Sequence, residues 1–248
     1  MKLLKYLAIS AVVGGSLTLT GCRDDFSELN TNPSQIANAE VSYLFARSIV
    51  EFEPYGYLMY YYNAQMMQWW AQTGTRTVGY TPNFVTTTPT GDQGDKYIKV
   101  LKYVRAIEHA ISSMDEETAA KNRGYLHCSK VLCAYLGILA TDMYGDIPFT
   151  EACQAPYGGT ITPKYDKQAD LYELWLNEIN EAIKAFSNPE GFMIVPKQDV
   201  AFNGKWEKWA KFANSLKLRI AARLINVDRE RAKKIAAEVA AAPYIDSM

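Results

Sequence analysis

The sequence predicts an all-α fold made of helical hairpins. Apolar residues recur at three- and four-residue intervals through several long segments, the first pair of these is joined by a very short turn, and no convincing alternating run marks a strand. After a polar stretch from Ser27 to Asn38 with the turn signal Asn30-Thr31-Asn32-Pro33, helices are expected near 39–52 and 55–73, with Pro54 and Gly56 breaking between them. From Gln93 to Met114, Tyr97, Val100, Leu101, Val104, Ile107 and Ile111 form one apolar face, with Lys99, Lys102, Arg105 and Glu108 mostly opposite. The acidic turn Asp115-Glu116-Glu117 then leads into a more fully apolar helix ending near Met143, which makes an antiparallel hairpin.

Residues 168–187 repeat the pattern with Leu171, Leu174, Trp175, Ile179, Ile183 and Phe186 on one face and Glu173, Asn177, Glu181 and Lys184 on the other. Residues 205–225 do so through Trp206, Trp209, Ala213, Leu216, Ile220 and Leu224, and Arg229 to Ala241 forms a last helix stopped by Pro243. The three tryptophans are assigned to the core. Phe192–Val195 is the one short candidate strand. Hairpins of this length are tetratricopeptide-like, although that repeat's strict period is missing. Two irregular stretches, Thr73–Asp92 and Gly145–Lys167, lie between helices, and long loops in a helical body are where binding is often placed.

The whole chain carries a formal net charge of -1, which becomes about -3 once Lys2 and Lys5 are set aside, so no basic surplus courts nucleic acid. Cys128 and Cys133 point about 140° apart on a helix and cannot readily bridge, and with Cys153 they read as small buried residues. Only His109 and His127 are present, and neither a metal nor any other cofactor is implied.

Residues 1–21 have the anatomy of a signal peptide: Lys2 and Lys5, an apolar or small run from Leu7 to Leu19, then Thr20-Gly21 directly before Cys22. That arrangement predicts cleavage before Cys22 and acylation of its thiol, with residues 22–38 as a lipidated tether and 39–248 as the helical domain. Arg23-Asp24-Asp25 is similar to the export tag of surface-exposed lipoproteins, and equally fits a solvated acidic tether.

The block Thr141-Asp142-Met143-Tyr144-Gly145-Asp146-Ile147-Pro148-Phe149 ends a buried helix. Gly145 is placed to close it in a left-handed conformation, Asp146 to bond amides of the turn and Pro148 to stop its resumption. Turn capping is preferred there over a metal or catalytic pair made of Asp142 and Asp146, with Glu151 nearby in sequence. Together with Pro163-Lys164-Tyr165-Asp166, the stretch Lys205 to Arg219 and the aromatic helix bearing Gln65, Trp69 and Trp70, this block resembles the SusD/RagB-like family of outer-membrane nutrient-binding lipoproteins. The resemblance implies a tetratricopeptide-like scaffold acting as a lid on a SusC-like TonB-dependent outer-membrane barrel, lipid-anchored and facing the cell exterior. It implies binding and handover of an oligosaccharide or other oligomeric nutrient, with no catalysis. Family members run to roughly twice this length, so the resemblance implies that the chain matches their N-terminal half, either as a fragment or as a reduced member.

Candidate ligand-binding residues are Trp69, Trp70, Arg76, Tyr80, Asn83 and Phe84. Aromatic planes stack on the apolar faces of sugar rings, and Arg and Asn offer forked partners to hydroxyls. The competing reading is core packing: Trp69 and Trp70 point about 100° apart, so at most one faces outward. Two other functions fit the same architecture. A helical scaffold lipoprotein would bind a protein partner and no small ligand. An all-α surface glycoside hydrolase would need two carboxylates across a cleft, for which the sequence offers no clear pair.

Overall fold

The computed structural model describes residues 39–52 and 96–242, and the chain divides into Met1–Ala39 and Glu40–Met248. Within the second unit the described residues form six α-helices and no strand: α1 Val41–Val50, α2 Lys96–Ser112, α3 Glu116–Tyr144, α4 Gln168–Ser187, α5 Trp206–Leu224 and α6 Arg229–Ala240. The helix predicted for 55–73 and the loop Thr73–Asp92 lie outside the described residues.

Helices α2 to α6 pack in chain order, each on the next, and α1 lies against both α2 and α3. The α2–α3 hairpin starts its second arm at Asp115, whose side chain accepts the Thr118 amide at 3.0 Å, while Glu116 and Glu117 sit in the first turn where the helix dipole favours acids. The apolar stripe of α2 is buried as its spacing predicts, from Tyr97 to Ile111. Two residues assigned to its solvent face are not there: Arg105 and Glu108 are largely covered, because α3 and α4 bring Lys130 and Glu178 over them.

Helix α3 is the central element. It is buried on most sides between α2 and α4, and Cys128 and Cys133 are free thiols within it, while Cys153 is partly buried in the loop beyond. Small residues on α3 set how closely its neighbours approach. A Cβ at Gly137 would stand 2.4 Å from the Trp175 ring of α4, and one at Gly124 would stand 2.6 Å from the Trp206 ring of α5. Trp175 and Trp209 are fully buried and Trp206 is partly so. Phe45 joins α1 to this core, its ring centroid 5.1 Å from that of Tyr125 and 6.0 Å from that of Trp209.

The candidate strand Phe192–Val195 is not formed. Two of its amides go to α3 instead, Met193 N–H to the Lys121 carbonyl at 2.8 Å and Val195 N–H to the Tyr125 hydroxyl at 3.1 Å, while Phe192 N–H closes a turn onto the Pro189 carbonyl at 3.0 Å. The rest of this α4–α5 connection is organised by Asp199, which is 1% exposed. Its carboxylate accepts Phe202 N–H, Gly204 N–H and the Trp209 indole N–H at 2.9–3.0 Å, so these three donors around the tight turn before α5 are satisfied from inside.

Candidate functional site

The Gly145–Lys167 loop is held by hydrogen bonds that begin at the end of α3. Gly145 donates to the Thr141 carbonyl at 2.8 Å and accepts the Thr141 hydroxyl at 2.5 Å. Its backbone, at φ +74° and ψ -126°, has the positive φ expected of a closing glycine but not the left-handed helical ψ. Asp146 does not cap its own turn. It reaches across to the start of α4, where it accepts the Gln168 amide at 3.1 Å and pairs with Lys167 at 2.6 Å. The bond from Lys167, then that from the Gln168 amide, holds its carboxyl below the usual range.

The loop's two ends are joined at an isolated antiparallel bridge between Ile147 and Asp166. The Asp166 carboxylate then accepts the Phe149 amide at 3.0 Å and both the amide and the hydroxyl of Thr150 at 2.7 Å. Partial burial opposes its ionisation, but the bonds from Thr150 and Phe149 outweigh that and keep the carboxyl below its ordinary range. From the other side Arg105 donates to the carbonyls of Phe149 and Thr150 at 3.1 Å and of Ala152 at 3.5 Å, and the Tyr97 hydroxyl donates to the Pro148 carbonyl at 2.8 Å. Glu151, considered above beside Asp142 and Asp146, accepts the Lys164 amide at 3.1 Å.

Behind Arg105 stands a charged chain. Its guanidinium pairs with Glu108 at 2.8 Å, and Lys130 lies 3.1 Å from both Glu108 and Glu178. Burial pushes the Glu178 carboxyl up. It also opposes ionisation of Glu108, but there the Arg105 bond and the Lys130 charge prevail and the value falls. The loop backbone is thus fixed from α2, while Tyr157, Ile161 and Tyr165 face solvent, Tyr157 stacked on His109 at 4.5 Å. Sequence reasoning placed Arg105 on the solvent side and missed the roles of Asp166 and Tyr97, since no periodic signal links residues so far apart in the chain.

Asp142 also finds partners outside its own turn: it accepts the Tyr172 hydroxyl at 2.6 Å and Arg223 Nε at 2.7 Å. Among the described residues no group of three or more His, Cys, Asp or Glu side chains is placed to hold a metal ion, and no helix is long and apolar enough to cross a membrane. Cys22, Trp69, Trp70, Arg76, Tyr80, Asn83 and Phe84 all lie outside the described residues.

The Asp166 anchor has a measurable pH signature. A depressed folded value means that the carboxylate's contribution is present above the unfolded value of about 3.9 and is lost as pH falls through the lower folded value. The Thr150 amide resonance is therefore expected to titrate with a midpoint below about 3.9, and a midpoint at or above that value would contradict the anchor.

The SusD-like family described as starch-binding and associating with the outer membrane matches residues 30–248. Among solved structures, a chitin-binding protein superposes with a TM-score of 0.63 at 22% identity, over 84% of this chain and 44% of its own. A SusD/RagB family protein from Bacteroides thetaiotaomicron gives 0.62 at 19% identity, over 83% of this chain and 43% of its own. A Bacteroidetes SusD-like protein gives 0.56 at 28% identity, over 84% and 38%. The chain therefore spans less than half the length of these structures. No curated protein is matched. The family match over residues 30–248, on a helical stack that these solved structures share, places this chain in the SusD/RagB-like family.

Proposed function

We propose that this chain is the scaffold part of a lipid-anchored surface protein that binds glycan and presents it to a SusC-like TonB-dependent barrel. The observation that carries the reading is the family match across residues 30–248, whose description joins starch binding to the outer membrane. The leader before Thr20-Gly21-Cys22 supports anchoring through Cys22, and diacylation would give the two chains that firm membrane attachment requires. Trp69, Trp70, Arg76, Tyr80, Asn83 and Phe84 remain the proposed ligand contacts, with Tyr157 and Tyr165 of the braced loop as further exposed aromatics. Binding, not catalysis, is the proposed role.

A protein-binding scaffold is the second reading, favoured by an open apolar groove between α5 and α6. Its floor is made by Ala221, Ala232 and Ala236, with Leu218 and Ile225 half exposed at its edges.

Gentle solubilisation of the outer membrane, affinity capture through this chain and mass spectrometry separate these readings. Recovery of a large TonB-dependent barrel is expected, together with release of the Cys22→Ser variant from the membrane fraction. Folded, lipidated protein that brings down no barrel would remove the transporter role.

A further inference from the structure

A cleft of about 350 Å³ opens where the end of α3, the start of α4, the end of α5 and the start of α6 converge. It borders the braced loop, whose Asp146 accepts the amide of the lining residue Gln168. Two guanidinium–carboxylate pairs frame it. Arg223 of α5 donates to Asp142 of α3 at 2.7 Å, and Arg231 of α6 grips Glu173 of α4 through both terminal nitrogens, Nη2 to Oε2 at 2.5 Å. The first pair is oriented from behind by the Tyr172 hydroxyl, which donates to Asp142, while Asp228 caps α6 by accepting the Arg231 backbone amide at 3.1 Å. Between them lie Leu224 and Val227, the latter 85% exposed, an apolar surface with polar forks on two sides.

This chemistry selects a class of ligand. The lining carries three carboxylates, on Asp142, Glu173 and Asp228, against two guanidiniums, on Arg223 and Arg231. A nearly balanced field of that kind repels neither sign strongly and attracts neither, so phosphate and polycations are both poor fits. Adjacent planar donors and acceptors match the paired hydroxyls of a polyol, while Leu224 and Val227 offer apolar contact to a ring's C–H face. The volume suits one or two rings. We infer that the cleft framed by Asp142–Arg223 and Glu173–Arg231 binds a neutral mono- or disaccharide. The choice of a sugar over another polyol rests on the proposed glycan role.

Titration of the isotopically labelled full chain with glucose, maltose, N-acetylglucosamine and its β-1,4 disaccharide, followed by amide correlation spectra, tests this. Saturable shifts at Val227, Asp228 and Arg231 are expected for at least one sugar at a Kd tighter than roughly 10 mM, weakened about tenfold or more by Glu173→Gln and by Val227→Asp. Both positions are exposed enough for the variants to keep the wild-type spectrum elsewhere. Sugar-induced shifts confined to other residues and unchanged in both variants would overturn the cleft and leave the glycan role standing. Absence of shifts with every sugar would overturn the cleft, and retained binding of longer glucan or chitin chains in the same sample would show that the glycan role survives it.

Discussion

Replacing Asp199 by Ala is expected to destabilise the protein by about 3–5 kcal/mol, among the largest effects of any single polar substitution here. The residue is 1% exposed, and its two carboxylate oxygens accept the Phe202 and Gly204 amides and the Trp209 indole N–H. Removing the side chain strands three donors that water reaches poorly, and an unmade buried hydrogen bond costs more than a made one contributes. The consequence propagates, because Trp209 packs against Phe45, Phe186, Phe202 and Phe212 and so ties α5 to α1 and α4. Urea unfolding of Asp199→Ala and Asp199→Asn checks this. Asn keeps an acceptor and should recover part of the loss, and an Ala variant within about 1 kcal/mol of the parent would show that the turn is held by something else.

Trp175→Ala is expected to cost about 3–5 kcal/mol through a different cause, the loss of packed volume. The indole is 0% exposed, meets the Phe149 ring edge-on at 5.2 Å and fills the space that Gly137 leaves on α3. Its N–H finds no acceptor among the described residues, so shape rather than hydrogen bonding keeps tryptophan there. Trp175→Phe, which removes the unmatched donor and only part of the volume, should therefore cost much less than Ala. Equal losses for Phe and Ala would refute the packing account. Because Phe149 belongs to the braced loop, the Ala variant should also broaden the Thr150 and Asp166 resonances, linking the core to the loop's geometry.

Helix positions were legible because each is written in local periodicity. The predicted 168–187 segment is α4 to the residue, and 205–225 differs from α5 by one residue at each end. Gly145 was legible as a stop for the same local reason, although its ψ was not. The failures share one property. Arg105 and Glu108 look like solvent-facing charges on an amphipathic helix, and only the arrival of Lys130, Glu178 and the 149–152 carbonyls makes them interior. Phe192–Val195 has strand-like composition, but the Met193 and Val195 amides are taken by Lys121 and Tyr125 of α3 and the Phe192 amide by Pro189, leaving no ladder to form. Asp146 and Asp142 were both read as residues of their own turn. In the fold, one caps α4 and the other joins Tyr172 and Arg223, at separations of 22 to 81 residues.

The sequence by itself determined the all-α class, the apolar faces of α2, α4 and α5 and the family, because burial periodicity and short motif blocks are local properties of a chain. Tertiary structure alone decided which charges became internal struts, how the loop after α3 is braced and where paired guanidiniums and carboxylates frame a cleft. Those features depend on which helices lie side by side, and a carboxylate carries no mark in the sequence of the donor that will meet it across the fold.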